Sequence, residues 1–251
     1  MGEAFLRLLA ETPQSDASGF ELHASPNNAI ATYQKVGTFR FVPQAYLMQD
    51  LAYLDTVVKV DFIDEVAFKR LTKPYLIVDG EEMVVQNYDA VAMTFTVGRG
   101  VNDTTPTRHG YMASVYMVDA GSPALDLTER VIGDTVYYRG LPKTAKGTLA
   151  LADATASMAQ LTGRMWKPYV VGNVKINAAY YPDTIPATAN LFVSWANRNR
   201  LTQTTEMLVF QYGNIAPETG QKVMIEVYNE AGTLLKSVEG NATNTWTWTT
   251  E

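Results

Sequence analysis

The sequence predicts an all-β protein, on three observations. Apolar and polar residues alternate with a period of two in many short stretches, and Gly, Pro, Asn and Asp punctuate those stretches. Charged residues make up only 18% of the chain against 47% hydrophobic, so Thr, Asn, Gln and Ser supply much of the polar surface, a palette suited to strands and turns. Helical spacing is scarce.

The elements follow in order. Phe5, Leu8 and Leu9 stand at helical spacing within Glu3 to Glu11, which predicts a short helix, and the small polar residues from Gln14 to Gly19 predict a loop. From Ile30 to Val42 the pattern fits two strands meeting at Gly37. Gln44 to Arg70 reads two ways: Tyr46, Leu47, Leu51 and Leu54 suit a helix, whereas Val58, Val60 and Phe62 alternate with Val57, Lys59 and Asp61 as a strand. Tyr75 to Val78 is a short apolar run closed by Asp79-Gly80, a hairpin signal, with Met83 to Val85 returning. Ala90 to Val97 leads into Gly98-Arg99-Gly100, and Ala113 to Val118, Val131 to Arg139 and Thr148 to Leu151 are further bounded strands.

Trp166-Lys167-Pro168-Tyr169 reads as a junction, because Pro fixes its own backbone and extends the residue before it. The expected organisation is an N-terminal helix and loop over 1–25, a β-rich domain over 26–165 and a β-sandwich over 166–251. In the last part Val174 to Ile176, Leu191 to Trp195, Met207 to Gln211, Val223 to Tyr228, Leu234 to Val238 and Thr245 to Thr249 read as strands, with a tight turn at Glu230-Ala231-Gly232. An immunoglobulin-like sandwich takes about seven strands. The shortfall predicts either a fragment or a sheet edge that another molecule completes. No internal repeat or low-complexity tract is seen.

Composition narrows the partners. A formal net charge of -6 gives no basic surface for nucleic acid, and no apolar run is long enough for a membrane helix or placed as a signal peptide. Without cysteine there is no disulfide and no thiolate metal site.

Candidate chemistry is sparse. His23 and His109, the two histidines, are expected in ordinary loop roles, since no H-E-x-x-H spacing occurs. Ser114 and Ser194 sit in strand-like text without a nucleophile elbow. Asp79, Glu81 and Glu82 are the densest acids. Paired carboxylates are what glycoside hydrolysis requires, but the turn accounts for Asp79, and adjacent glutamates on a strand point to opposite faces. Asp61, Asp64 and Glu65 lack the oxygen-rich, Gly-containing loop of a calcium site. Gly98 and Gly100 suit a bulge or tight bend and offer Arg99 for a salt bridge across a subunit contact. Trp195, Trp246 and Trp248, with Tyr212 and Tyr228, are candidates for stacking on sugar, against the plainer role of strand core. No catalytic, cofactor or metal residue is assigned.

Two stretches resemble a known family. Tyr75-Leu-Ile-Val-Asp-Gly-Glu-Glu-Met83, then Phe95-Thr-Val-Gly-Arg-Gly-Val-Asn-Asp-Thr104 and Thr107-Arg-His-Gly110, are similar to the β domain in the later part of phage tail hub and tail-tip proteins and of gene transfer agent hubs. Leu161-Thr-Gly-Arg-Met-Trp-Lys-Pro-Tyr169, Gly172-Asn-Val-Lys-Ile-Asn177 and Leu191 to Thr204 resemble the passage from that domain into a fibronectin type III-like module. The likeness spans roughly Tyr75 to Thr204 and is weaker before Tyr75. It implies a structural role in the virion at the tail tip, hub or baseplate, with no catalytic residues to carry over. Implied partners are other tail proteins, further copies in a ring, and host-surface glycan. Two alternatives stand beside it: a carbohydrate-binding host-recognition module and a cell-wall-degrading tail enzyme.

Overall fold

The computed structural model describes residues 4–13, 16–62, 64–185, 190–203, 208–240 and 243–249. Its architecture is all-β, as the alternation predicts. In chain order the strands begin with β1 (Ala4–Leu8), β2 (Gly19–Ser25), β3 (Gln34–Phe39), β4 (Gln44–Leu47), β5 (Val57–Phe62) and β6 (Tyr75–Val78). They continue with β7 (Glu81–Asp89), β8 (Thr94–Gly98), β9 (Ser114–Val118), β10 (Ala124–Arg130), β11 (Thr135–Thr144), β12 (Gly147–Thr148) and β13 (Ala156–Gln160). The last are β14 (Gly172–Ile176), β15 (Leu191–Ala196), β16 (Met224–Tyr228), β17 (Leu234–Glu239) and β18 (Thr245–Trp248). Among the described residues the one α-helix, α1, is the single turn Glu65–Phe68, capped by the Asp64 carboxylate, which accepts from the Ala67 N–H at 2.8 Å. No helix among them is long and apolar enough to cross a membrane.

Six strands close a barrel in the hydrogen-bonded order β4-β5-β8-β7-β6-β9. Alternate residues along these strands are fully buried, among them Val58 and Val60 in β5, Leu76 and Val78 in β6, and Val115 and Met117 in β9. That alternation is what the interior of a small barrel demands. The turn between β6 and β7 is Asp79-Gly80, with φ of 47° and 84°, so both central residues take the left-handed geometry of a tight hairpin.

The chain divides into two compact units: Met1–Gln49, Lys59–Val78 and Tyr111–Lys167 form one, and Asp50–Val58, Asp79–Gly110 and Pro168–Glu251 the other. In the first, β2 lies between β3 and the long β11, whose other edge takes β13 along its first half and β12 at its end. The core there joins Phe20, Leu22 and Ala24 of β2 to Val136 and Tyr138 of β11, with Leu6 and Leu8 packed against them. In the second, β15 pairs with β14 and β18, while β16 and β17 form a two-stranded ribbon.

Four local expectations are corrected. The N-terminal segment expected as a helix is strand β1, antiparallel to β10, because Leu6, Leu8 and Ala10 follow a period of two toward the core and four paired residues outweigh a helical turn that short. Gln14 and Ser15, in the loop expected after it, lie outside the described residues. Gly37 does not separate two strands. It lies within β3, opposite Leu22, and the register slips at the next step so that His23 faces Lys35, which makes Val36 the extra residue of a bulge. In the ambiguous span the helical reading fails for Tyr46 and Leu47, which belong to β4. The strand expected at Met207 to Gln211 is irregular chain over 208–211, Met207 lying outside the described residues. There the Phe210 N–H donates to the Arg99 carbonyl at 2.9 Å and its carbonyl accepts from Asn173 at 2.6 Å, so its backbone bonds go to two separate segments.

Candidate functional site

The polar chemistry of the molecule concentrates behind the loop that leaves β8 at Gly98 and runs to Gly110, within the second unit. The loop starts at Gly98 because a Cβ there would meet Val209 Cγ1 at 2.1 Å and Val84 Cγ1 at 2.9 Å. Gly100, at φ +57°, bends the chain, and a Cβ there would stand 2.5 Å from Pro106. Between these glycines Arg99 turns inward, 4% exposed.

Arg99 meets Glu81, near the start of β7, in a bidentate pair: Nε donates to Oε1 at 2.7 Å and Nη2 to Oε2 at 2.8 Å. The remaining donors of Arg99 go to backbone carbonyls, Nη1 to Ala52 and Asp55 and Nη2 also to Thr107, at 2.7 to 3.0 Å. Glu81 in turn accepts from the Gly100 N–H at 3.0 Å and the Thr107 N–H at 2.8 Å. Its side chain is 1% exposed. Burial pushes its carboxyl upward, yet the bonds from Arg99, His109 and Thr107 outweigh that and hold it below the usual glutamate range.

His109 completes the cluster. Its Nε2 lies 2.9 Å from Glu81 Oε2 and its Nδ1 lies 2.9 Å from Asp79 Oδ2. Ionised carboxylates only accept, so both ring nitrogens must donate and the ring is an imidazolium. Burial pulls the His109 value down, but Glu81 and Asp79 together raise it above its ordinary level. Its backbone is fixed as well, exchanging two hydrogen bonds with Leu51 at 2.8 and 3.0 Å. The four side chains therefore form a relay from Asp79, 59% exposed, through buried His109 to the buried Glu81–Arg99 pair.

A second guanidinium holds the same loop from another side. Arg198, just beyond β15 and 2% exposed, donates to the carbonyls of Gly100, Asn102 and Thr104 at 2.5, 2.8 and 2.9 Å. Burial draws its pKa down to about 10. Outside the loop, Tyr53 and Tyr181 stack with ring centroids 4.1 Å apart, and Arg108 lies 5.0 Å over Tyr53. The Tyr181 hydroxyl donates to the Pro106 carbonyl, and burial pushes its pKa up to about 12.

Glu81, Arg99 and His109 are buried, and their polar atoms engage one another and the backbone, so the arrangement fixes the shape of the loop. Arg99, expected at a subunit contact, is spent inside its own chain on Glu81. Glu82 points away from Glu81 and accepts from the Asn102 amide, as the alternation of a strand requires. His23, on β2, stands 3.6 Å from Glu21. Ser114 accepts from Gln44 at 3.2 Å, and Ser194 lies in β15 opposite Thr245. Asp64 caps α1, and Glu65 pairs with Lys69 at 3.0 Å. Among the described residues no group of three or more His, Asp or Glu is placed to hold a metal ion.

The tryptophans separate. Trp195 is buried in β15, its ring 3.1 Å from where a Cβ on Gly240 would stand. Trp246 and Trp248 are half-buried on one face of β18, opposite Val193 and Leu191, with ring centroids 6.4 Å apart and planes inclined at 36°. Tyr212 and Tyr228 are exposed, and the Tyr228 hydroxyl donates to Glu226 at 2.8 Å. Sequence reasoning missed Arg198 and Thr107. Arg198 bonds to backbone carbonyls and Thr107 joins Glu81 and Arg99 through its own backbone N–H and carbonyl, contacts that leave no residue-type signal.

No model of a known protein family matches the chain, and no curated protein matches it either.

Proposed function

We propose that this chain is a structural component of a bacteriophage or phage-derived tail, at the tip, hub or baseplate, acting in tail assembly and host attachment through protein–protein contacts. The observation that carries the reading is the buried Glu81–Arg99–His109 cluster. It falls in the first of the two stretches that resemble tail hub proteins, within Tyr75 to Met83, Phe95 to Thr104 and Thr107 to Gly110, and commits their buried charged groups to fixing one loop shape. A loop held this way presents a constant surface to a neighbour without reordering on contact, which lowers the entropic cost of assembly. Exposed apolar residues such as Val91, Leu127 and Leu201 offer contact area to such neighbours.

The glycan-binding alternative finds less support, because Trp195 is buried and the Trp246 and Trp248 rings are half-covered and mutually inclined rather than laid out as a flat platform. The enzyme alternative would need Glu81 at a surface that substrate can reach.

The test is location. Antibody raised against the purified chain is applied to particles of the phage that encodes it, and tail proteins are identified by mass spectrometry. Label at the distal end of the tail, with the chain present in a fixed copy number, is the expected result. Particles that lack the chain, or labelling on the capsid, would overturn the assignment.

A further inference from the structure

In the second unit, β18 forms one edge of the sheet β14-β15-β18, and among the described residues no strand pairs with its outer side. Its register against β15 is regular, from Leu191 level with Trp248 to Ser194 level with Thr245. The hydrogen bonds decide which groups face outward. The Trp195 N–H donates to the Asn244 carbonyl at 3.1 Å, so the hydrogen-bonded pairs of this ladder are Trp195 with Asn244, Val193 with Trp246 and Leu191 with Trp248. Phe192, level with Thr247, agrees: its N–H donates to the Asn177 side chain and its carbonyl accepts from the Asn177 N–H, both at 2.8 Å and both on the β14 side. The backbone N–H and C=O groups of Thr245 and Thr247 therefore point out of the sheet. Trp246 and Trp248 share the face of Leu191, Val193 and buried Trp195, yet both stay half-buried, as core-side residues of an edge strand do when no further strand covers them.

We infer that this edge joins a second copy of the chain, the two β18 strands running antiparallel about a two-fold axis at Thr247. The residues of the strand select that occupant. From Thr243 to Thr249 there is no charge, no Pro and no Gly, and the strand lacks the devices that protect β3, whose free edge bears Lys35 and the bulge at Val36. Turned through 180° about Thr247, the pattern matches itself, Thr level with Thr and Trp level with Trp. Thr247 pairs with Thr247 of the second copy, and Thr245 with its Thr249, through the outward backbone groups. Trp246 comes level with Trp248 of the second copy, and the pair occurs twice, at the non-hydrogen-bonded positions where side chains across a ladder lie closest. Aromatic pairs and Thr pairs are favourable across strands, and a strand without charge brings no like charges together. An axis at Thr245 would set Trp246 against Asn244 instead, so the register is specified. The inference goes beyond the tail reading and does not rest on it; a two-fold contact closes a pair and leaves other surfaces for a ring.

Sedimentation of the purified full chain between about 1 µM and about 200 µM is expected to show a monomer–dimer equilibrium. Thr247→Pro removes an N–H that β15 does not use, at an edge position where Pro is tolerated, and is expected to abolish the dimer over that range. Thr247 is exposed, so charge can be placed there without disturbing the core. Thr247→Lys and Thr247→Glu are each expected to weaken dimerisation at least about tenfold, because like charges then meet at the axis. An equimolar mixture of the two should dimerise again, since position 247 of one copy faces position 247 of the other only in a two-fold pair. A monomer at every concentration, a dimer that survives Thr247→Pro, or a mixture as weak as the single variants would each overturn the inference. Circular dichroism of the three variants separates contact from folding. A chain present in tails but monomeric in solution defeats this inference alone, whereas a dimer absent from particles defeats only the tail assignment.

Discussion

Arg99 and Arg198 are both buried, both belong to the second unit, and each donates to three backbone carbonyls of irregular chain. They differ in one respect. Arg99 also has a carboxylate, the bidentate Glu81, while Arg198 has carbonyls alone and an Nε without an acceptor. The depressed pKa of Arg198, about 10, reflects burial that the charge of Asp103 offsets only in part. One site is thus an ionic pair that fails badly if halved. The other is a cation that is costly to bury and correspondingly less costly to remove.

The widest gap should appear when each site is broken. Glu81→Gln leaves Arg99 and His109 buried without their anion and turns an amide N–H₂ toward Gly100, Thr107 and Arg99, all donors. Arg99→Met leaves the Glu81 carboxylate half-paired. Each change is expected to lower unfolding free energy by about 3–5 kcal/mol, read from urea denaturation midpoints. Arg198→Met orphans three carbonyls but relieves the burial of an unpaired cation, so its cost is expected nearer about 1–3 kcal/mol. An Arg198→Met as damaging as Arg99→Met would break the comparison.

Titration sharpens it from a second direction. His109 has a folded pKa raised above its unfolded value of 6.5, so its contribution is complete below that value and is lost as pH rises through the folded pKa. Glu81 has a folded pKa below its unfolded value of 4.5, so its contribution is present above that and is lost as pH falls through the folded pKa. Stability measured across pH should therefore fall away as pH rises above 6.5 toward the raised folded value, and His109→Gln should flatten that limb. A His109→Gln profile parallel to the wild type would remove the imidazolium from the cluster.

Much of this architecture is legible in the residues themselves. The period of two, the Asp79-Gly80 turn and the unusual Gly98-Arg99-Gly100 step all stand in local sequence, because each is a backbone constraint satisfied within a few residues. What makes Gly98 necessary is not local: Val209, against it, is more than a hundred residues away, whereas Gly100 is crowded by Pro106 of the same loop. Glu81 and Arg99 are likewise joined by the return of β8 along β7, so a turn explains Asp79 while the role of Glu81 waits for the sheet. The first strand misleads for a different reason. Leu8 belongs both to the helical set with Phe5 and Leu9 and to the alternating set with Leu6 and Ala10, and only pairing with β10 decides between them.

The smallest effect belongs to Asp79, the exposed end of the relay. Its φ of 47° suits the turn, and Asn tolerates that geometry as well as Asp does, so Asp79→Asn keeps the hairpin and removes only the charge beside His109. Because Asp79 is 59% exposed, solvent screens the pair, and the loss near neutral pH is expected to stay below about 1 kcal/mol. Its signature is instead a displacement: with one of two carboxylates gone, the alkaline loss of stability should begin at lower pH than in the wild type. Asp79→Asn leaving that limb in place would mean that Glu81 alone holds the proton on His109, and the relay would end at the buried pair.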